Sequence, residues 1–126
     1  MSEAAFDELI HAPLRLRICA MLAPVHRLPF SDIRDNLEIS DSVLSKHLST
    51  LAGAGYIETS RVRADARSRR LVRLTKRGRT AFSRHLAALQ AIAAAAEPLV
   101  AEEQPARPVP RRRQNRREIA LDPRAV

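Results

Sequence analysis

Apolar residues in the first half of the chain recur at three- and four-residue intervals, the spacing of one face of a helix. Phe6, Leu9 and Ile10 share a side over residues 3–10, and Leu14, Ile18, Met21 and Leu22 form a stripe over 13–22. Phe30, Ile33 and Leu37 do the same over 30–37, and Leu44, Leu48 and Leu51 over 41–53. Breakers separate these runs. Pro13 suits the first turn of the second helix, where its missing N–H costs nothing, and Pro24 stops that helix. VHRLP, residues 25–29, reads as a connector. Glu38, Ile39 and Ser40 make a tight turn in which Ile39 plugs the gap between helices, and Ser40 or Asp41 is a good N-cap. The fourth helix ends at Gly53 or Gly55, with Gly55 expected in the left-handed conformation.

The pattern then switches to alternation. Residues 56–63, YIETSRVR, and 70–74, RLVRL, predict two strands joined by the charged turn ADARSR. Thr75 caps a last helix over 76–96, whose stripe of Phe82, Leu86, Leu89, Ala93 and Ala96 has near-heptad spacing. That stripe can pack on the chain's own first helix or on the same helix of a second copy. Residues 97–126 hold five of the eight prolines and few large apolar residues, the composition of a disordered tail. The expected organisation is one domain over 1–96 and a basic, proline-containing tail over 97–126. Its class is mainly α with a small β-hairpin.

Composition narrows the chemistry. Aromatics are 3% and Trp is absent, so the core is aliphatic. One cysteine, Cys19, allows no internal disulfide, and its apolar neighbours Ile18 and Met21 favour packing over redox sensing. The acidic start MSEAAFDELI lacks the basic-then-apolar order of a signal peptide, and no apolar run approaches a membrane span. A cytoplasmic protein without membrane contact is expected. His11, Cys19, His26 and His85 show no metal-ligand spacing, and neither a phosphate loop nor a nucleophile–base signature is present. No metal, no cofactor and no enzymatic activity are expected.

Charge is where the chain is unusual. The net charge is +8, and residues 61–84 alone carry ten Arg or Lys against one acid, Asp65. Such a block favours a polyanionic partner. On residues 41–53, the three leucines fall within about 60° of one another. Ser42, Lys46 and Ser49 lie opposite, flanked by Ser45 and Thr50. This outward face is small, hydroxyl-rich and basic, so it approaches phosphates and base edges without steric or electrostatic obstruction. An ordinary solvated helix face has the same look in isolation; its context separates the two readings. A short helix precedes it across a three-residue link, and a basic hairpin follows, carrying Arg61, Arg63, Arg67, Arg69 and Arg70. The alternative for the arginine block is a hairpin kept soluble by charge.

Helix, helix-turn-helix, two-stranded hairpin, helix is the order of a winged helix. LSKHLSTLAGAGYI, DARSRR and LTKRGR, in that order, resemble the recognition helix, wing tip and wing-to-last-helix junction of winged-helix transcription regulators of the MarR and ArsR type. The resemblance covers roughly residues 6–95. It implies a three-helix core, a two-stranded wing and a C-terminal dimerisation helix using Phe82, Leu86, Leu89 and Ala93. It implies a homodimer on double-stranded operator DNA, with Ser42, Ser45, Lys46, Ser49 and Thr50 facing the groove and Arg67, Arg69 and Arg70 at the wing tip. Asp65 matches an acid that braces wing arginines in MarR-type wings. The paired cysteines of many ArsR-type metal sensors are absent from FSDIRDNL.

The expected function is therefore a DNA-binding transcription regulator, a dimeric repressor using recognition helix 41–53 and wing 61–73. Two alternatives remain: a non-specific architectural DNA binder, and a winged helix used for protein–protein contact. Whether a small-molecule effector is sensed stays open.

Overall fold

The computed structural model describes residues 3–64 and 67–103. The elements run α1 (Glu8–His11), α2 (Pro13–Leu22), β1 (Leu28–Pro29), α3 (Phe30–Leu37), α4 (Asp41–Gly53), β2 (Ile57–Ala64), β3 (Arg67–Leu74) and α5 (Lys76–Glu103). Ile10, Ile18, Leu22, Ile33, Leu44, Leu48, Leu51, Val72 and Leu74 are fully or almost fully buried in a single aliphatic core. The leucine stripe of α4 thus lies inside, and its hydroxyl-rich side lies outside.

The sequence expectations for α2, α3 and α4 match the observed bounds. The remaining differences have physical causes. The first helix begins at Glu8 rather than at residue 3, because Asp7 is its N-cap and accepts from the Ile10 N–H at 3.0 Å. Residues ahead of it run non-helically along α5, with the Ala5 N–H bonded to the Arg84 carbonyl. Phe6 is consequently 46% exposed instead of facing the core. Ala12, which precedes Pro13, has ψ 133°, so the chain turns between α1 and α2.

VHRLP is not merely a connector. Leu28 and Pro29 form β1, an edge strand on β3 that pairs Leu28 with Val72 and Pro29 with Leu71. The sheet is therefore three-stranded, in the order β1-β3-β2, rather than a bare hairpin. Two residues are too few for an alternation signal, and proline is a poor strand former away from edges. In the hairpin β3 starts at Arg67, three residues before the expected strand, so Arg67–Arg69 are ladder residues paired with Ala64, Arg63 via Ser68, and Val62. Asp65 lies outside the described residues.

Two turns fix α4. Glu38 ends α3 in the left-handed region (φ 57°, ψ 48°), with its N–H on the Arg34 and Asp35 carbonyls, and the Ile39 N–H returns to the Arg34 carbonyl. This closes the helix as a Schellman-type turn and sends half-buried Ile39 onto the core, as the plug reading anticipated. Ser40 then caps α4, its Oγ accepting from the Val43 N–H. At the other end Gly55 has φ +80°.

α5 starts on Thr75, whose Oγ1 accepts from the Gly78 N–H and donates to the Gly55 carbonyl. It continues to Glu103, seven residues past the expected end at 96. The expected end rested on the proline and acid content of residues 97–103, but the helix built on the alanine-rich stretch before them runs on through Pro98. The compact body closes at Ala91, and from Ile92 onward the chain is a unit of its own. The tail from residue 104 lies outside the described residues.

Candidate nucleic-acid interface

The outward side of α4 presents Ser42, Lys46, Ser49 and Thr50 exposed and Ser45 half-buried. Thr50 spends its hydroxyl proton on the Lys46 carbonyl at 3.2 Å, which leaves its methyl and oxygen lone pairs outward. The one acid of α4, Asp41, is ion-paired with Arg34 at 3.0 Å; the same guanidinium holds Asp35 at 2.9 Å, so one positive charge is shared between two carboxylates. These two carboxylates raise the Arg34 pKa, the Asp35 hydrogen bond contributing most. Arg34 was not singled out in the sequence. Its signal was weak: an arginine seven positions ahead of Asp41 across a turn.

The inner flank of α4 is held by Arg15. Its Nε donates to the Leu9 carbonyl at 2.6 Å and its Nη1 lies 3.2 Å from His47 Nδ1. His47 is half-buried, and burial first, then Arg15 and Lys46, lower its pKa. It packs at the edge of the leucine stripe, against Arg15. Arg15 thus ties α1 and α4 together.

The hairpin sorts its arginines onto two faces, because successive strand residues point to opposite sides. The register pairs Ile57 with Leu74, Thr59 with Val72, Arg61 with Arg70 and Arg63 with Ser68. Ile57, Val72 and Leu74 are core residues, so Arg61, Arg63 and Arg70 extend the core-facing side beyond the core. Arg67 and Arg69 share the other face with Val62. The Arg70 guanidinium sits 4.5 Å from the Phe30 ring centroid and Arg70 is half-buried, opposite Arg61 along the ladder rather than at the hairpin tip. Its position is set by the aromatic face at the start of α3. Arg61 reaches the Ser68 hydroxyl at 3.3 Å. Among the described residues no carboxylate pairs with Arg61, Arg63, Arg67 or Arg69; the acid on the hairpin's lower part, Glu58, is taken by Arg73 at 2.7 Å. Phe30, Ser31, Arg61, Arg67 and Arg70 line a groove between wing and α3.

Of the expected dimerisation residues, Phe82 is 7% exposed and belongs to the chain's own core. It sits one turn after Gly78, where α5 presses on the body, so the stripe begins inside the domain. Leu86 is exposed, Leu89 half-buried and Ala93 exposed.

A buried polar cluster lies where the N-terminal segment crosses α5. His85 is fully buried. Its Nδ1 accepts from the Asp7 N–H at 3.0 Å, and its Nε2 is 3.0 Å from His11 Nδ1. Asp7 also accepts from the Tyr56 hydroxyl at 2.6 Å, which raises the tyrosine pKa, and Phe6 lies edge-on to the His85 ring. His85 had a signal in the sequence: it falls three residues after Phe82 and four before Leu89, on the buried stripe. Burial, then His11, lower its pKa from 6.5. The unfolded chain therefore binds the extra proton more readily, so this contribution to stability is present above about pH 6.5 and is lost as pH falls below it. Thermal melts between pH 8 and 5 are expected to show Tm dropping by several degrees below pH 6.5. The drop should be smaller in His85→Gln; an equal slope in both proteins would rule out His85 as its source. Cys19 is buried as well, its thiol pushed up to about 12 by burial and then by Asp7, so it is inert.

Among the described residues no three of His, Cys, Asp and Glu are grouped to hold a metal ion, and no helix is long and apolar enough to cross a membrane.

A helix-turn-helix followed by an arginine-rich hairpin is the arrangement of a winged-helix DNA-binding module. The chain belongs to the winged helix DNA-binding domain family, which it matches over residues 14–93. It is similar to a transcriptional regulator homologue from Pyrococcus horikoshii OT3, with 31% identity and a TM-score of 0.67 over 71% of this chain and 88% of that one. It is also similar to YusO from Bacillus subtilis, at 26% identity and TM-score 0.61, over 72% and 69% of the two chains. An uncharacterized protein of Methanocaldococcus jannaschii is 25% identical over 79 residues, 63% of this chain and 86% of that protein. The protein is thus a winged-helix, DNA-binding transcription regulator; families of this kind are usually not enzymes.

Proposed function

We propose that the protein is a homodimeric repressor that binds a pseudo-palindromic operator in the cytoplasm. Each α4 enters a major groove with Ser42, Ser45, Lys46, Ser49 and Thr50 toward the bases. Each wing lays Arg61, Arg63, Arg67 and Arg69 along the flanking backbone, with Arg70 behind them. Leu86, Leu89 and Ala93 on α5 supply the dimer contact. Two recognition helices would then sit about one helical turn, roughly 34 Å, apart. The observation that carries this reading is the combination of an acid-free outward face on α4 with four exposed wing arginines that no described carboxylate neutralises. Guanidinium groups in that state pair with phosphate oxygens on binding rather than exchanging one partner for another.

Selection of bound sites from random duplexes, with the mass of the complex, tests it. A short inverted repeat bound by two subunits is expected. Lys46→Ala and Ser42→Ala should each change base preference at one or two positions as well as affinity, by about 1–3 kcal/mol at a base contact. Wild-type preference in both variants would refute the groove-facing assignment. One observation favours a second reading, a non-specific architectural binder: α4 presents no Asn, Gln or Arg, the residues that make bidentate base contacts. Selection that enriches nothing while duplexes still bind would establish that reading instead.

A further inference from the structure

The face of α4 contains an apolar side chain that the phosphate-and-hydroxyl account does not use. Val43 is 39% exposed in the first turn of the helix, while every leucine of α4 is buried. We propose that Val43 reads the C5-methyl group of a thymine, and so supplies sequence discrimination that the polar residues of the face lack. This rests on the operator-binding reading of α4.

Three observations converge on it. The first is position: residues near the N-terminus of a recognition helix are those that reach base edges. Val43 is adjacent to Ser42 and three residues before Lys46, both exposed, so it borders the surface that meets the groove. The second is rigidity. The Val43 N–H is bound by the Ser40 Oγ at 3.2 Å, which fixes the backbone at the cap, and a β-branched side chain in a helix is held in essentially one rotamer. Its methyls are presented in place, and little side-chain entropy remains to be lost on binding. The third is the chemistry of the face. Thymine differs from the other bases in the major groove by a methyl group, and apolar contact is the means of reading it. With no Asn, Gln or Arg on α4, the hydroxyls and Lys46 read donors and acceptors; a methyl group is read by Val43 in the first turn or by the Thr50 methyl two turns on, and Val43 is the one near the N-terminus. The other exposed valine, Val62, lies on the wing opposite Arg69, among groups suited to phosphate, and carries no equivalent argument.

The test uses the selected operator duplex with each thymine replaced singly by deoxyuridine, which removes the methyl and keeps the pairing. Wild-type protein is expected to bind about three- to fivefold more weakly at one thymine per half-site, the worth of one buried methyl. Val43→Ala removes the contact from both half-sites, so it should bind the unmodified operator about ten- to twentyfold weaker, show no further loss with deoxyuridine at that position, and keep its salt slope. Because Val43 is exposed, the variant's Tm should match wild type. Equal binding of all the deoxyuridine duplexes by wild type overturns the proposal while leaving operator binding intact. So does a deoxyuridine loss that persists unchanged in Val43→Ala. Selection that enriches no sequence overturns this proposal and the operator reading together.

Discussion

Gly78→Ala is expected to lose about 3 kcal/mol or more of stability, a fall in Tm on the order of 15 °C for a domain of this size. Gly78 occupies the first turn of α5, fully inside the body, and a Cβ there would overlap the backbone carbonyl of Tyr56. The neighbour is main chain, with Tyr56 O already accepting from the Thr75 N–H at 2.9 Å, so it has no rotamer by which to yield. The helix must instead lift from the start of β2. That lift would disturb Thr75, which joins the Gly55 carbonyl to the Gly78 N–H, and Arg79, which donates to the Ala23 and Val25 carbonyls at 2.7 and 3.0 Å. Gly53 gives the contrast. Nothing lies within 4 Å of a Cβ built there, and its φ is not positive, so Gly53→Ala should raise stability by about 0.5–1 kcal/mol through the helix preference of alanine. Thermal or urea denaturation of the two variants measures both effects. A Gly78→Ala protein as stable as wild type would mean that α5 does not bear on Tyr56 in this way.

The largest effect on binding is expected from Arg61→Ala, Arg67→Ala and Arg69→Ala made together. Each side chain is exposed and unpaired by any described carboxylate, so each can neutralise a phosphate without first giving up an ion pair, and the counterions released from the DNA favour binding. Removing three such contacts should lower the slope of log K against log salt by about three, and weaken binding on the order of a hundredfold near physiological salt, for specific and random duplexes alike. Arg69→Ala alone should lower the slope by about one. Arg70→Ala differs in kind: its guanidinium rests on Phe30, so its loss should also reduce stability and loosen the wing against α3. Titrations by anisotropy at several salt concentrations read all of these. An unchanged slope in the triple variant would remove the wing from the interface.

Much of this was legible in residue order because it is local. The α4 stripe of Leu44, Leu48 and Leu51, the Ser40 cap and the Gly55 stop each depend on residues within a few positions, and the observed helix has the expected bounds. The same holds for α3 and for the arginine block, whose charge is a property of composition. Local rules failed where a partner distant in sequence decides. Residues 3–7 have helical composition but lie against α5, because Asp7 makes more use of its groups as a cap and as an acceptor for Tyr56 than as helix interior. β1 exists only because β3 offers it an edge.

The chain by itself, then, determined which face of residues 41–53 turns outward, where that helix starts and stops, and that the following hairpin is strongly positive. Periodicity, caps and charge act over short range and survive without a fold. Only the tertiary structure decided how those parts are used. It placed Arg34 on Asp41, so that the one carboxylate of α4 is ion-paired, and it set Arg70 on Phe30 while giving Arg61, Arg67 and Arg69 no carboxylate partner among the described residues. It also took Phe82 and His85 into the core of a helix whose stripe had looked continuous. Each of these pairs residues seven to seventy-eight positions apart. The free energy of such a contact depends on where packing brings the chain back to itself, which no single stretch of the chain encodes.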